Sequence, residues 1–239
     1  MTEINNSSIR RKVWSWALYD WANSAFATTV MAGFFPVFFK EYWNTGVSVT
    51  ESTFRLGLVS SLASLLIVIM APVLGAVADY LGRRKGMLLA FAFLGIIMTS
   101  GLCLVGAGEW WLAAVLYVMA LVGFSGANIF YDSLLPFVCN SDDLDRTSAL
   151  GFSLGYLGGG LLLALNVLMT LHPDTFGLED TTAAIRISFV MVAAWWLVFS
   201  LPLVLNVPEP DNHPGTVPAN MLKAGFSRVF KTLREVRQL

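Results

Sequence analysis

The chain is short of charge. Asp, Glu, Lys and Arg make up 13% of its 239 residues, about half the share of a soluble domain, so a water-facing surface cannot be built around it. Cysteine and histidine are scarce too: Cys103, Cys139, His172 and His213 are the full set. That excludes a disulfide framework and any clustered Cys/His metal site. A glycine-rich phosphate loop and a Ser/His/Asp set are also missing, so the sequence calls for no enzyme chemistry, no cofactor and no metal. The net charge of -1 carries no sign of a nucleic-acid partner.

What the chain has is long apolar sequence. Hydrophobic residues make up 56%, and residues 56–78 and 87–107 hold no formal charge, each long enough to cross a hydrocarbon core of about 30 Å. Hydropathy predicts six spans, at 14–39, 56–78, 87–107, 110–135, 148–171 and 186–205. Backbone groups in lipid must pair within their own segment, so the spans are helices and the class is all-α integral membrane. Trp14, Trp16, Trp43, Trp110 and Trp111 fall near span ends, as an aromatic belt does. Ala25-Phe26-Ala27 looks like a signal cleavage site, but Asp20 and Asn23 interrupt the run before it and the apolar stretch continues to Phe39, so the first span is read as uncleaved.

Orientation follows from the cations. With the N-terminus inside, twelve of the fifteen Lys and Arg residues fall on inner segments, leaving Lys40, Arg55 and Arg186 outside. Both termini are then cytoplasmic, and Cys103 and Cys139 lie near opposite faces, too far apart for a disulfide. The chain divides into a bundle at 1–205, a linker at 206–219 made stiff by Pro208, Pro210, Pro214 and Pro218, and a basic amphipathic helix at 220–239. On that helix Leu222, Phe226, Val229, Phe230, Leu233 and Val236 oppose Lys223, Arg228, Lys231 and Arg234, so it lies either on the inner leaflet or against protein.

The turn Gly75-Ala-Val-Ala-Asp79-Tyr-Leu-Gly82-Arg83-Arg84-Lys85 resembles the loop between the second and third spans of major facilitator superfamily transporters, and it falls at that place in the chain. Residues 14–43, from Trp14-Ser-Trp16-Ala-Leu-Tyr-Asp20 through Phe34-Phe-Pro36-Val-Phe-Phe39 to Trp43, resemble the first span of the vacuole-effluxer-like branch of that superfamily. Residues 146–160 are similar to its fifth span. The resemblance implies the amino-terminal six-span bundle of a twelve-span fold, a 3+3 inverted repeat, with a second six-span bundle as partner. It also implies a permease that moves a small solute, such as an amino acid, by alternating access, with a proton as a candidate coupling ion. The expected site is the cell's inner (plasma) membrane, with the vacuolar membrane as the alternative. A membrane module that does not transport and acts only through helix association is the other functional class.

Asp20 and Asp132 are the formal charges that fall within apolar spans, where a charge costs roughly 2.5 to 3.5 kcal/mol. Asn23 follows Asp20 by three residues, and Ser125, Asn128 and Asp132 are spaced to share one stripe of span 4. Asp20, Asn23, Asn128 and Asp132 are therefore the candidates for contact with substrate or coupling ion; Asp132 could instead pair with Arg83 or Arg84. By resemblance, Gly75, Asp79, Gly82, Arg83, Arg84 and Lys85 form a gating loop that engages the second bundle. Gly151, Gly155 and Gly159 make a small-residue stripe suited to close helix packing. Residues 155–160 also resemble an antiporter motif, from which Tyr156 departs by standing where that motif has proline.

Overall fold

The computed structural model describes residues 2–210 and Arg234, without the side chains of residues 2–6 and 79–81; among the described residues every regular element is helical. Among the described residues six helical stretches are long and apolar enough to span a membrane: Ser7–Trp43, Val49–Ala78, Arg84–Leu104, Trp110–Val138, Ser141–Leu171 and Thr181–Asn206, here spans 1 to 6. Residues 211–219 of the expected linker and the expected helix at 220–239, apart from an exposed, helical Arg234, lie outside the described residues.

Spans 2 and 6 begin earlier than hydropathy placed them, at Val49 and Thr181. Ser48 caps the first, its Oγ accepting from the Glu51 N–H at 3.2 Å, and Asp180 caps the second, accepting from the Ala183 N–H at 2.7 Å. Glu51 then pairs with Arg55 one turn on. Such polar first turns prolong a helix beyond the hydrocarbon, where an apolar window does not register them.

Span 1 is not a uniform α-helix. It is α-helical over Thr2–Ala25, widens to a π-helix over Phe26–Phe34, returns to α over Phe35–Phe38, and ends in a second π stretch, Phe39–Trp43. Pro36 offers no N–H and crowds the carbonyl one turn back, and the widened turns on either side accommodate it.

The packing has an internal symmetry. Span 1 lies against spans 5 and 6, span 4 against spans 2 and 3, span 3 against span 6, and span 1 touches span 4. Exchanging 1 with 4, 2 with 5 and 3 with 6 maps these contacts onto themselves, the relation expected of a 3+3 inverted repeat; the contact of span 5 with span 6 is the exception, with no counterpart of similar extent between spans 2 and 3. At the crossing of spans 3 and 4 a Cβ on Gly123 would stand 2.4 Å from the Gly95 backbone nitrogen, so Gly123 has no room for a side chain, and a Cβ on Gly95 would stand 2.6 Å from the Trp196 ring of span 6. The aromatic belt is smaller than expected. Trp14 and Trp111 are exposed, but Trp16 stacks on Tyr131 at 4.2 Å between centroids, and Trp43 is fully buried against Phe35, Phe38 and Phe189. Position near a span end does not separate a ring that meets headgroups from one that fills the bundle.

Candidate functional site

Spans 1, 4 and 5 converge on a cavity of about 260 Å³ lined by Asp20, Asn23, Ser24, Ala27, Thr28, Phe124, Asn128, Phe152, Gly155 and Tyr156. Asp20 is the only formally charged side chain in that lining. Span 1 carries it, and the following two turns present Asn23, Ser24 and Thr28 toward the same opening. The Ser24 hydroxyl lies 3.4 Å from Asp20 Oδ1, and Thr28 Oγ1 donates across to the Gly159 carbonyl at 3.0 Å. Asn23, 1% exposed, donates from Nδ2 to Asn128 Oδ1 and so ties span 1 to span 4.

Small residues on span 5 make this convergence possible. A Cβ at Gly155 would fall 2.7 Å from Ser24 Oγ and 3.1 Å from the Asp20 carboxyl, and one at Gly159 would meet Thr28 and the Ser24 carbonyl at 2.9 and 3.0 Å. Gly151 lies under Trp16 and Gly158 under Trp21 in the same way. The stripe of Gly151, Gly155 and Gly159 is therefore filled by span 1 of its own chain and is not a free face for associating with another protein. Trp195 Nε1 donates to the Trp21 carbonyl at 3.2 Å, holding span 6 to the same turn.

The structure does not bring all the expected residues together. Asp132 is exposed and lies outside the cavity lining, one turn past Asn128 along span 4. It does not pair with Arg83 or Arg84: among the described residues the ion pair found is Glu51 with Arg55. Arg84 instead sits 4.7 Å above the Phe137 ring, and Phe137 lies five residues past Asp132, about 140° around the helix. Ser125 turns from the stripe to line a small gap with Ile67, Met70 and Leu74 of span 2. The loop residues also separate. Gly82 ends the helix of span 2 with φ of 62°, a conformation that favours glycine, and Arg83 is exposed while Arg84 is buried. Gly75 has open space around it, and the Asp79 side chain lies outside the described residues.

Hydropathy and spacing overlooked Ser24, Thr28, Phe124, Phe152 and Tyr156. The nearest signal for Tyr156 was its departure from the antiporter-like motif; the ring is 81% exposed and borders the cavity. A larger opening of about 620 Å³ at the N-terminal ends of spans 1 and 5, bordered by Arg10, Asp143 and Arg146, contains none of the expected site residues.

The profile of the family described as "Vacuole effluxer Atg22 like" matches residues 44–146 and 140–239. The chain belongs to that family. Relatives of the chain include an uncharacterized MFS-type transporter, YxiO, of Bacillus subtilis, 33% identical over 94% of this chain and 52% of its own length. Autophagy-related protein 22 of Eremothecium gossypii is 23% identical over 83% of this chain and 46% of its own length. An uncharacterized protein of Aquifex aeolicus is 24% identical over 82% and 46%. The Atg22-like chain thus spans about half the length of the curated relatives it matches. No solved structure matches it.

Proposed function

We propose that the chain is the amino-terminal bundle of a secondary-active transporter that moves a small solute, of the amino-acid class, by rocking against a second six-span bundle. The observation that carries this reading is the cavity itself. A carboxylate, two amides and two hydroxyls from spans 1 and 4 gather beside three aromatic rings, within spans that are otherwise apolar. Ionisable and amide groups at that depth are costly and are kept where they serve a pathway. A volume of about 260 Å³ falls just below the range of roughly 300 Å³ upward typical of whole ligand pockets, as a half-site completed by a second bundle would. Asp20 is its charged contact for solute or proton, Asn23 and Asn128 hold spans 1 and 4 in register, and Asp132 lies at the inner approach. The inner loop from Gly75 to Lys85 acts in gating, and the residues that follow span 6 lead to the second bundle. Both termini are cytoplasmic, and the host membrane is the plasma membrane, with the vacuolar membrane as the alternative.

The test is Asp20→Asn in the full-length protein, assayed for uptake or efflux in proteoliposomes across a range of pH. Insertion and monodispersity are expected to be retained and transport lost or uncoupled. Normal transport at every pH would return Asp20 to a structural role.

A further inference from the structure

Beyond the cavity, the inner end of the bundle holds a contact between residues more than a hundred positions apart. Glu209, just past the end of span 6, presents both carboxylate oxygens to the start of span 3: Oε1 accepts from the Lys85 N–H at 2.8 Å and Oε2 from the Gly86 N–H at 2.9 Å. Lys85 answers in the opposite direction. Its Nζ donates to the carbonyls of Val204 and Val207, at 2.6 and 2.7 Å, at the end of span 6. An anion therefore satisfies free amides at one helix's N-terminus while a cation satisfies free carbonyls at the other's C-terminus, and both charges suit the helix dipoles they face. Pro208 and Pro210 flank Glu209, and their fixed φ limits the swing of the segment that carries it. In the same first turn of span 3, Arg84 lies over Phe137 of span 4, so one helical turn is tied both to span 4 and to the exit of span 6.

We infer that Glu209 is a positioning residue for the inner loop: with Lys85 it forms a reciprocal clasp that makes the loop between spans 2 and 3, the end of span 6 and the chain up to Pro210 move as one piece. Lys85, expected from the sequence to reach a second bundle, is committed to its own. This inference rests on the alternating-access reading above only for its effect on rate; the clasp itself is a contact within the bundle.

Two measurements on the full-length protein separate the two claims. Amide hydrogen exchange is followed at Lys85 and Gly86 in Glu209→Ala, Glu209→Gln, Lys85→Met and Lys85→Arg. Transport Vmax and KM are measured per monodisperse protein, so that a variant which folds poorly does not count as a slow one. Loss of two charge-assisted hydrogen bonds in Glu209→Ala is expected to speed exchange about tenfold or more, with Glu209→Gln between it and the parent. Vmax is expected to fall roughly three- to tenfold with KM within about twofold, because the loop and not the solute cavity is disturbed. Lys85→Met is expected to follow the same split and Lys85→Arg, which can still donate to both carbonyls, to restore it. Unchanged exchange in Glu209→Ala would overturn the clasp. Faster exchange with unchanged Vmax would overturn the positioning role. If the unaltered protein moves no solute, the transport reading falls and the exchange rates alone decide the clasp.

Discussion

Three glycines within six residues of span 5 are expected to give three different outcomes when changed to alanine. A Cβ at Gly160 meets nothing within 4 Å, one at Gly155 meets Ser24 Oγ at 2.7 Å and the Asp20 carboxyl at 3.1 Å, and one at Gly158 meets the Trp21 ring at 2.6 Å and the Trp21 carbonyl at 2.7 Å. Ordinary contact begins near 3.4 Å, so Gly158→Ala must move a backbone group and an indole by most of an ångström. Overpacking of that kind costs about 3 kcal/mol, at the upper end of its usual range, equal to roughly 6 to 12 °C in Tm for a chain of this size. Gly155→Ala pushes only on a hydroxyl and a carboxylate that can turn, at a cost of about 1 kcal/mol. The turned groups are those of the cavity, so the half-saturating solute concentration in the full-length protein is expected to rise about tenfold, equal to 1.4 kcal/mol. Gly160→Ala is expected to stay within about 0.5 kcal/mol of the parent. Thermal unfolding of the 239-residue chain in detergent reads the first quantity, and transport by the full-length protein reads the second. A Gly158→Ala protein as stable as Gly160→Ala would refute the helix spacing, and unaltered affinity in Gly155→Ala would refute the assignment of the cavity.

Two further outcomes test the bundle more broadly. Ser8 and Asp174 are both exposed, near the N-terminal end of span 1 and in the loop between spans 5 and 6; a membrane-impermeant maleimide added outside is expected to label Asp174→Cys and spare Ser8→Cys, and the reverse pattern would undo the twelve-to-three cation argument. Arg55 donates to Asn44 Oδ1 at 2.9 Å and lies 4.6 Å over Trp110, so Arg55→Met is expected to cost about 1 to 2 kcal/mol. Glu51→Gln, which loses only a half-exposed pair, is expected to cost under about 0.5 kcal/mol; equal melting shifts for the two would show that the Asn44 and Trp110 contacts contribute nothing.

The six spans were legible because length and charge alone mark them, and Asp20, Asn23 and Asn128 because a polar group in an apolar run stands out locally. Other features depend on partners that no local window contains. Glu209 reads as one acid among prolines until the start of span 3, more than 120 positions earlier, is placed beside it. Gly95 and Gly123 look like two of twenty glycines, yet their backbones touch. In a chain that is 13% aromatic, Phe124 and Phe152 carry no mark that separates a cavity wall from a lipid-facing ring. Asp132 differs: its spacing puts it on the stripe of Asn128, but it is exposed outside the cavity lining, and Arg84, one of its candidate partners, lies over Phe137 about 140° around span 4.

The bond between Asn23 and Asn128 also sets a timetable. Span 1 is made before span 4 and enters the membrane with Asp20 and Asn23 already in it, while the amide that Asn23 binds lies 105 residues further along, and Gly155, which packs against Asp20, comes later still. At roughly 5 to 20 residues per second, translation leaves those groups without their final neighbours for about 5 to 20 seconds. During that interval the first span is the weakest committed segment of the nascent chain, and it has to be sheltered by water, by the insertion machinery or by its own inner end until span 4 arrives.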